Sequence, residues 1–193
     1  MNSMALAIDY TTVDHDERNF LTKKEIDLLL KSSKRGRHGV RDYCMTLLAY
    51  RHGYRVSELI DIRLSDVDID AGRIFVRRSK GSLSTTHPLQ GNELRAIRAW
   101  LRVRVDLNSS FLFLGERGPL SRQAINYLLK VIAKRAGLDL HVHPHLLRHS
   151  CGFELANRGT PLRLIQDWLG HKNISNTVMY TRTAASRFEG LWR

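Results

Sequence analysis

The segment "HPHLLRHS", His143–Ser150, places three histidines and an arginine within eight residues. Pro144 suits the first turn of a helix, so we expect a helix to begin here and to continue through "CGFELANRG". On that helix His145 and Arg148 share a face, and His145 and His149 have the i, i+4 offset of some metal ligands. The octapeptide holds no cysteine and no acidic residue. Three interpretations therefore stay open: buried polar residues, a zinc site, and part of a catalytic centre.

The charge of the whole chain favours the third interpretation. The 193 residues include 31 Lys and Arg against 19 Asp and Glu, which gives a formal net charge of +12 and a pI of about 10.2. The basic residues are spread along the chain and do not form a single tail. A folded surface for a polyanion, with DNA or RNA as the first candidate, is the best explanation. An acidic membrane surface or an acidic protein remains an alternative on charge alone.

The hydrophobic pattern is that of one globular domain. No apolar run reaches the roughly 20 residues that span a bilayer, and the N-terminus lacks the basic and apolar regions of a secretory signal. Cys44 and Cys151 form no CxxC pair and predict reduced, buried thiols. We therefore expect a cytoplasmic protein.

Most of the chain has helical periodicity. The strongest start and stop signals are the capping-box spacing of Thr22 and Glu25, Ser121 before "RQAINYLLKVIAKRAG", and Thr160 before "PLRLIQDWLG". Only "VDIDAGRIFVRRSKGSLSTTHPL" alternates with a period of two, and it contains turn residues around Lys80. The predicted fold is mainly α with a small antiparallel β-sheet.

Two further segments carry candidate chemistry. In "GYRVSEL", Arg55 and Glu58 are three residues apart, which suits a helix-surface ion pair or an acid that orients an arginine toward a ligand. In "WLGHKNISNTVMYTR", His171 follows the end of a predicted helix, and Tyr180 comes nine residues later. This second segment has the length of a helix-turn-helix, but that interpretation leaves Arg55, Lys80 and His145 unexplained.

Taken in order, "GYRVSEL", the lysine in "RRSKGSLSTTHPL", "HPHLLRHS", "LGH" and the tyrosine nine residues after that histidine resemble the catalytic domain of tyrosine recombinases. The likeness extends from about Phe20 to Tyr180. The segments "RNFLTKKEIDLLL", "LSRQ" and "RLIQDWLGH" are similar to the short recombinases that invert fimbrial promoter segments in enteric bacteria. The resemblance implies a flexible lead-in over residues 1–19 and a catalytic domain over residues 20–193, without an N-terminal DNA-clamping domain.

The resemblance also implies a role for each matching residue. Arg55 and Arg148 would hold the scissile phosphate, Lys80 would protonate the leaving 5′ oxygen, and Tyr180 would be the nucleophile. His145 would serve in proton transfer and phosphate contact, His171 would be a further phosphate donor, and Glu58 would support Arg55. His143 and His149 are left with structural roles. No metal and no other cofactor is implied, since two arginines can supply the charge.

The resemblance implies that the partner is double-stranded DNA with inverted-repeat sites in the bacterial nucleoid, bound by a homotetramer, with accessory DNA-bending proteins as further candidate partners. The residues predicted to contact DNA are Arg77, Arg78, Ser121, Arg122, Gln123, Lys130 and Lys134. The residues after Tyr180, with Phe188, Leu191 and Trp192, would either dock on a neighbouring protomer or pack within the chain. Three alternatives stay open: another integrase or excisionase of the same family, a type IB topoisomerase, and a non-catalytic DNA-binding regulator.

Overall fold

The computed structural model describes residues 18–78, 82–105, 108–116 and 118–181. They form eight helices and five short strands. The helices are α1 (Lys23–Ser33), α2 (Gly39–His52), α3 (Val56–Ile60), α4 (Gly91–Val103), α5 (Arg122–Ala136), α6 (Pro144–Asn157), α7 (Leu162–Leu169) and α8 (Ser175–Val178). The strands are β1 (Val67–Asp68), β2 (Arg73–Val76), β3 (Thr85–Pro88), β4 (Leu114–Gly115) and β5 (Gly118–Pro119). The predicted fold class, mainly helical with a small sheet, is confirmed.

Local sequence signals explain where several helices begin and end. Thr22 forms the predicted capping box with Glu25 at the start of α1, and Ser121 caps α5 by accepting from the Ala124 amide. Gly137 and Gly170 end α5 and α7 with positive φ values of 71° and 65°. One boundary differs: α7 starts at Leu162 with Pro161 at its N-cap, so Thr160 is not the capping residue.

The sheet has three antiparallel strands in the order β1-β2-β3. Ile74 and Val76 of β2 point into the core, whereas Arg73 and Phe75 are exposed, as the period of two predicts. Ile74 pairs with His87 of β3, and Val76 pairs with Thr85. The connection between β2 and β3 contains Lys80, which lies outside the described residues.

The core lies between the helices and one face of this sheet. Helix α2 packs against α1, α4 and α6, and its middle turns are buried almost completely. Helix α6 also contacts α7 and the short 3₁₀ turn Met179–Thr181 that carries Tyr180. Helix α2 therefore supports α6 from behind, and α6 in turn supports the segment with the predicted nucleophile.

The predicted lead-in, residues 1–19, lies outside the described residues except for its last two members. Of these two, Arg18 is 8% exposed, and its guanidinium pairs with Glu25. Arg18 therefore packs against the start of α1. None of the helices in the described ranges is both long and apolar enough to cross a membrane.

Candidate active site

The first predicted clamp residue, Arg55, stands at the N-cap of α3. Gly53 ends α2 in the left-handed conformation with φ 58°, and a Cβ atom there would lie 2.4 Å from Leu169 Cδ2. A side chain here would be strained by the positive φ and would displace Leu169, so glycine suits this turn. Two residues later the Arg55 amide donates to Glu58 Oε2 at 2.9 Å, and its guanidinium pairs with Oε1 of the same carboxylate. About a third of the Arg55 side chain, 32%, stays exposed.

Glu58 is a buried anchor for two arginines and not one half of a surface ion pair. Only 4% of it is exposed, and Arg78 Nη1 donates to its Oε2 at 2.8 Å. Burial alone would raise the pKa of Glu58. The charge of Arg78 and the hydrogen bonds from Arg55 and Arg78 outweigh that effect and hold the pKa below its ordinary value. Glu58 therefore remains charged and fixes the orientation of Arg55.

The structure corrects one predicted DNA contact, Arg78. Its side chain is fully buried and donates to the carbonyl oxygens of His52, Gly53 and Trp168 as well as to Glu58. A guanidinium held by these acceptors cannot reach DNA in this conformation. The alternation of the strand continues past β2 and directs Arg78 to the same side as Ile74 and Val76, a signal that the sequence already contained.

The second clamp residue, Arg148, is buried on α6 with 2% of its surface exposed. In the described part of the chain its guanidinium donates to two carbonyl oxygens, those of Gly53 and Leu169, and not to a carboxylate. Burial and the neighbouring charges of Arg78 and Arg55 lower the pKa of Arg148 to about 10. Cationic charge thus exceeds anionic charge in this pocket, which favours binding of an anion.

The histidines of "HPHLLRHS" have three different positions. His143 caps α6, because its Nδ1 accepts from the Leu146 amide at 3.4 Å. His145 is exposed at the surface. Partial loss of solvent around its ring and the charges of Arg148 and Arg55 still lower its pKa. His149 is partly buried, and its ring meets that of His145 edge-on with centroids 4.5 Å apart. No group of three or more possible metal ligands occurs within the described ranges.

Tyr180 lies deeper than any of these histidines, with 1% of its surface exposed. Its hydroxyl is 3.2 Å from His149 Nδ1, and its ring lies nearly parallel to that of His171, with centroids 6.2 Å apart. His171 is held in turn by a 2.9 Å contact between its Nδ1 and Thr177 Oγ1. Burial raises the pKa of Tyr180 to about 12, although the charge of Arg148 opposes the shift.

The structure therefore brings five predicted site residues close together: Arg55, Glu58, Arg148, His171 and Tyr180. His145 is exposed on α6, on the face that it shares with Arg148. The contact between Tyr180 and His149 was missed, since His149 had been assigned a structural role. Its i, i+4 offset from His145 and its position next to Arg148 place it on the active face, which is the signal that could have identified it.

The remaining predicted DNA contacts are exposed. Arg77 keeps 54% of its side chain exposed while it pairs with Asp66. Ser121, Arg122, Gln123, Lys130 and Lys134 are exposed along α5. They stay candidates for contacts to a nucleic-acid backbone.

The arrangement suits covalent phosphoryl transfer. Two arginines in fixed positions can hold a phosphodiester and offset the charge that develops in its transition state. A tyrosine beside them can attack the phosphorus once its proton is removed, and the resulting covalent link divides the reaction into cleavage and rejoining.

The chain matches the model of the phage integrase family over residues 19–187. It is 49% identical over 183 residues to the type 1 fimbriae regulatory protein FimB of Escherichia coli strain K12, with 93% of this chain and 92% of that protein covered. It is 45% identical to FimE of the same strain over 181 residues, with 91% of each protein covered.

Solved structures of recombinases have the same fold as this chain. The crystal structure of XerA recombinase superimposes with a TM-score of 0.78 and 28% identity, over 86% of this chain and 61% of that chain. A lambda integrase dimer bound to a COC' core site has the same fold, with a TM-score of 0.65, 21% identity, and coverage of 84% of this chain and 47% of that one. The chain belongs to the phage integrase family and is a tyrosine site-specific recombinase.

Proposed function

We propose that this recombinase inverts a short promoter-bearing DNA segment between inverted repeats and thereby switches fimbrial genes on and off. The observation that supports the chemistry is the excess of buried arginine charge beside a buried tyrosine. Among the described residues Arg148 donates to carbonyl oxygens and not to a carboxylate, and Tyr180 packs on the same helix. The fimbrial role is supported by the similarity to FimB and FimE over nearly the whole of both proteins.

In this proposal Arg55 and Arg148 bind the two non-bridging oxygens of the scissile phosphate, and Glu58 keeps Arg55 in place. His145 and His171 contact the same phosphate. Tyr180 Oη attacks phosphorus and forms a 3′-phosphotyrosyl link, while Lys80 donates a proton to the leaving 5′ oxygen. The link conserves the energy of the phosphodiester, so neither ATP nor a metal ion is required for rejoining.

The partner is double-stranded DNA, and exchange between two sites requires four protomers, two for each site. Two neighbours with the same fold are described in complex with DNA, XerH bound to its difH substrate and the Tn1549 integrase bound to circular-intermediate DNA. Accessory proteins that bend the intervening DNA would bring the two repeats together. The reaction takes place on the chromosome in the bacterial cytoplasm.

A nicked duplex tests the chemistry, because loss of the short fragment beyond the nick traps the covalent intermediate. We expect Tyr180→Phe to abolish the protein–DNA adduct and to leave DNA binding nearly unchanged. Tyr127→Phe is the matched control, since Tyr127 is 71% exposed on α5. An adduct formed by Tyr180→Phe would refute the assignment of the nucleophile.

A plasmid assay tests the biological role. The segment next to the gene that lies between inverted repeats is cloned with a marker, and its orientation is read by restriction digestion. Inversion that requires both repeats supports the proposal. Relaxation of supercoiled plasmids without the repeats would instead indicate a topoisomerase, and binding without any adduct would indicate a regulator.

A further inference from the structure

The residue that touches the nucleophile in this structure is His149. Its Nδ1 atom is 3.2 Å from the Tyr180 hydroxyl, and the two ring centroids are 5.8 Å apart. For this nitrogen to accept the phenolic hydrogen, the other ring nitrogen, Nε2, must carry the proton of the neutral imidazole. The contact then has the direction that removal of a proton from Tyr180 requires.

The neighbouring histidine, His145, has a different environment. It is exposed, whereas His149 is partly buried between His145 and Tyr180. His145 is thus placed to face a bound DNA backbone, and His149 is placed at the phenol. Because the two residues are one helical turn apart on α6, both can act on one reacting centre without competing for the same atom.

We propose that His149, and not His145, is the group that takes the phenolic proton of Tyr180 during DNA cleavage. This assignment rests on the proposed function, and it adds a catalytic residue to it. As Tyr180 Oη forms its bond to phosphorus, its hydrogen passes to His149 Nδ1, and the bond from phosphorus to the 5′ oxygen breaks. That oxygen receives its proton from Lys80. In rejoining, the 5′ hydroxyl returns its proton to Lys80 as its oxygen attacks phosphorus. The bond from phosphorus to Tyr180 Oη breaks, and His149 gives its proton back to that oxygen.

The charges around His149 explain why transfer would follow DNA binding. Burial, together with the charges of His145, Arg148 and His143, lowers the pKa of His149 to about 4, while that of Tyr180 is raised to about 12. The proton therefore stays on Tyr180 in the free enzyme. A phosphodiester bound by Arg148 and Arg55 offsets the positive charge near His149 and makes its protonated form more favourable. The nucleophile is thus protected until a substrate phosphate is present.

The first test compares variants in cleavage of the nicked duplex. His149→Ala should slow formation of the adduct by about 10² to 10⁴-fold, the range found for loss of a general base, with DNA affinity unchanged. His149→Gln should be similarly slow, since an amide oxygen accepts a hydrogen bond but cannot take the proton at neutral pH. His141→Ala is the matched control, because His141 is exposed and three residues N-terminal to α6.

A glutamine variant that cleaves within about threefold of the wild type would show that His149 only positions Tyr180, and it would overturn the proposal. The failure of the proposed function itself would look different. In that case the wild-type protein would form no adduct, or the adduct would survive Tyr180→Phe.

The second test replaces Tyr180 by a fluorinated tyrosine, whose phenol is more acidic. A nucleophile that loses its proton more easily depends less on a base, so this replacement should recover a large part of the activity that His149→Ala loses. It should not recover the activity lost in Arg148→Ala, where phosphate binding is damaged. Equal, additive effects of fluorination in the wild-type and His149→Ala backgrounds would overturn the assignment.

Discussion

At the scale of single residues, Gly152 determines where Tyr180, the proposed nucleophile, can lie. It is a helical glycine in α6, and a Cβ atom there would lie 2.6 Å from both Cε2 and Cζ of Tyr180. Such a contact is far below van der Waals distance, so the ring of Tyr180 would have to move. The absence of a side chain at residue 152 therefore allows Tyr180 to pack against α6 with its hydroxyl at His149.

Gly152→Ala should consequently impair cleavage. A displacement of about 1 Å at a reacting group can slow a reaction by about a hundredfold, and we expect a loss of that order in the nicked-duplex assay. Alanine has a higher helix propensity than glycine by about 1 kcal/mol, which offsets part of any loss of stability. Gly91→Ala, at the first turn of α4, is the control, because the nearest described atom to its Cβ, at 3.4 Å, belongs to the flexible end of the Arg95 side chain. Equal activity of the two variants would contradict the prediction.

At the scale of elements, Arg78 connects the end of β2 to three helices. Its guanidinium donates to carbonyl oxygens at the end of α2 and in α7, and it pairs with Glu58 of α3. Arg148 also donates to the carbonyl oxygen of Gly53, which it shares with Arg78. Its second acceptor is the carbonyl oxygen of Leu169, the residue after Trp168. Arg78 thus stabilises the positions of Glu58 and of the backbone that binds Arg148, a residue of the proposed phosphate clamp.

Arg78→Ala should lower the free energy of unfolding by about 3–5 kcal/mol, the usual cost of removing one partner of a buried ion pair. Arg77→Ala removes an exposed pairing with Asp66 and should change it by about 1 kcal/mol or less. Urea unfolding followed by circular dichroism measures both. Similar losses in the two variants would show that Arg78 is not a structural tie.

The sequence predicted elements where a local rule operates. Capping by Thr22 and Ser121 and the alternation at Ile74 and Val76 depend on neighbours a few residues away, and these predictions are confirmed. The same alternation indicates that Arg78 points into the core. Its positive charge led instead to the prediction that it contacts DNA, which was wrong.

The partners of Arg148 could not be predicted in that way. Its acceptors are backbone atoms 95 and 21 residues away, and no local pattern indicates which carbonyl oxygens a fold will bring to a side chain. Motif order predicted a set of site residues, most of which the structure brings close together, and tertiary packing determined how deeply Tyr180 and Arg148 are buried.

At the scale of the whole molecule, a buried histidine pair joins four elements. His52 at the end of α2 and His87 of β3 approach through their Nδ1 atoms at 3.0 Å, and His52 Nε2 lies 2.9 Å from Glu93 Oε1 of α4. The ring of Trp168 in α7 stacks on His87 with centroids 3.8 Å apart. Burial, with the charges of His52 and Arg78, lowers the pKa of His87 to about 2.

This shift predicts that the fold loses stability in mild acid. Below the ordinary pKa of 6.5 the unfolded chain binds a proton that folded His87 does not bind. Stability should therefore fall as the pH falls from 6.5, with a contribution from His87 of about 1.4 kcal/mol per pH unit. His87→Gln should be less stable at neutral pH but show a flatter decline, measured as unfolding free energies in urea. Parallel declines in both proteins would contradict this role.

The net charge of +12 also acts at the scale of the molecule, since it makes association with DNA dependent on salt. Each phosphate contact releases counterions and contributes about −0.9 to the slope of log K against log salt concentration. If Lys130 and Lys134 of α5 contact the backbone, replacing both by glutamine should make the slope less steep by about 1.8. Fluorescence anisotropy on duplexes with the inverted repeat, between about 50 and 200 mM salt, measures this.

The double variant Lys24→Gln/Lys31→Gln removes the same charge from exposed positions of α1. It distinguishes direct contacts between lysines and DNA phosphates from the attraction of DNA by the overall positive charge. A lysine that only adds to the overall field changes affinity modestly, and screening over about 10 Å at 0.1 M salt weakens that effect. A phosphate contact instead displaces bound ions and changes the slope itself. Equal slopes for the two double variants would place the DNA on another face than α5, whereas a change confined to the α5 variant would identify that helix as part of the interface.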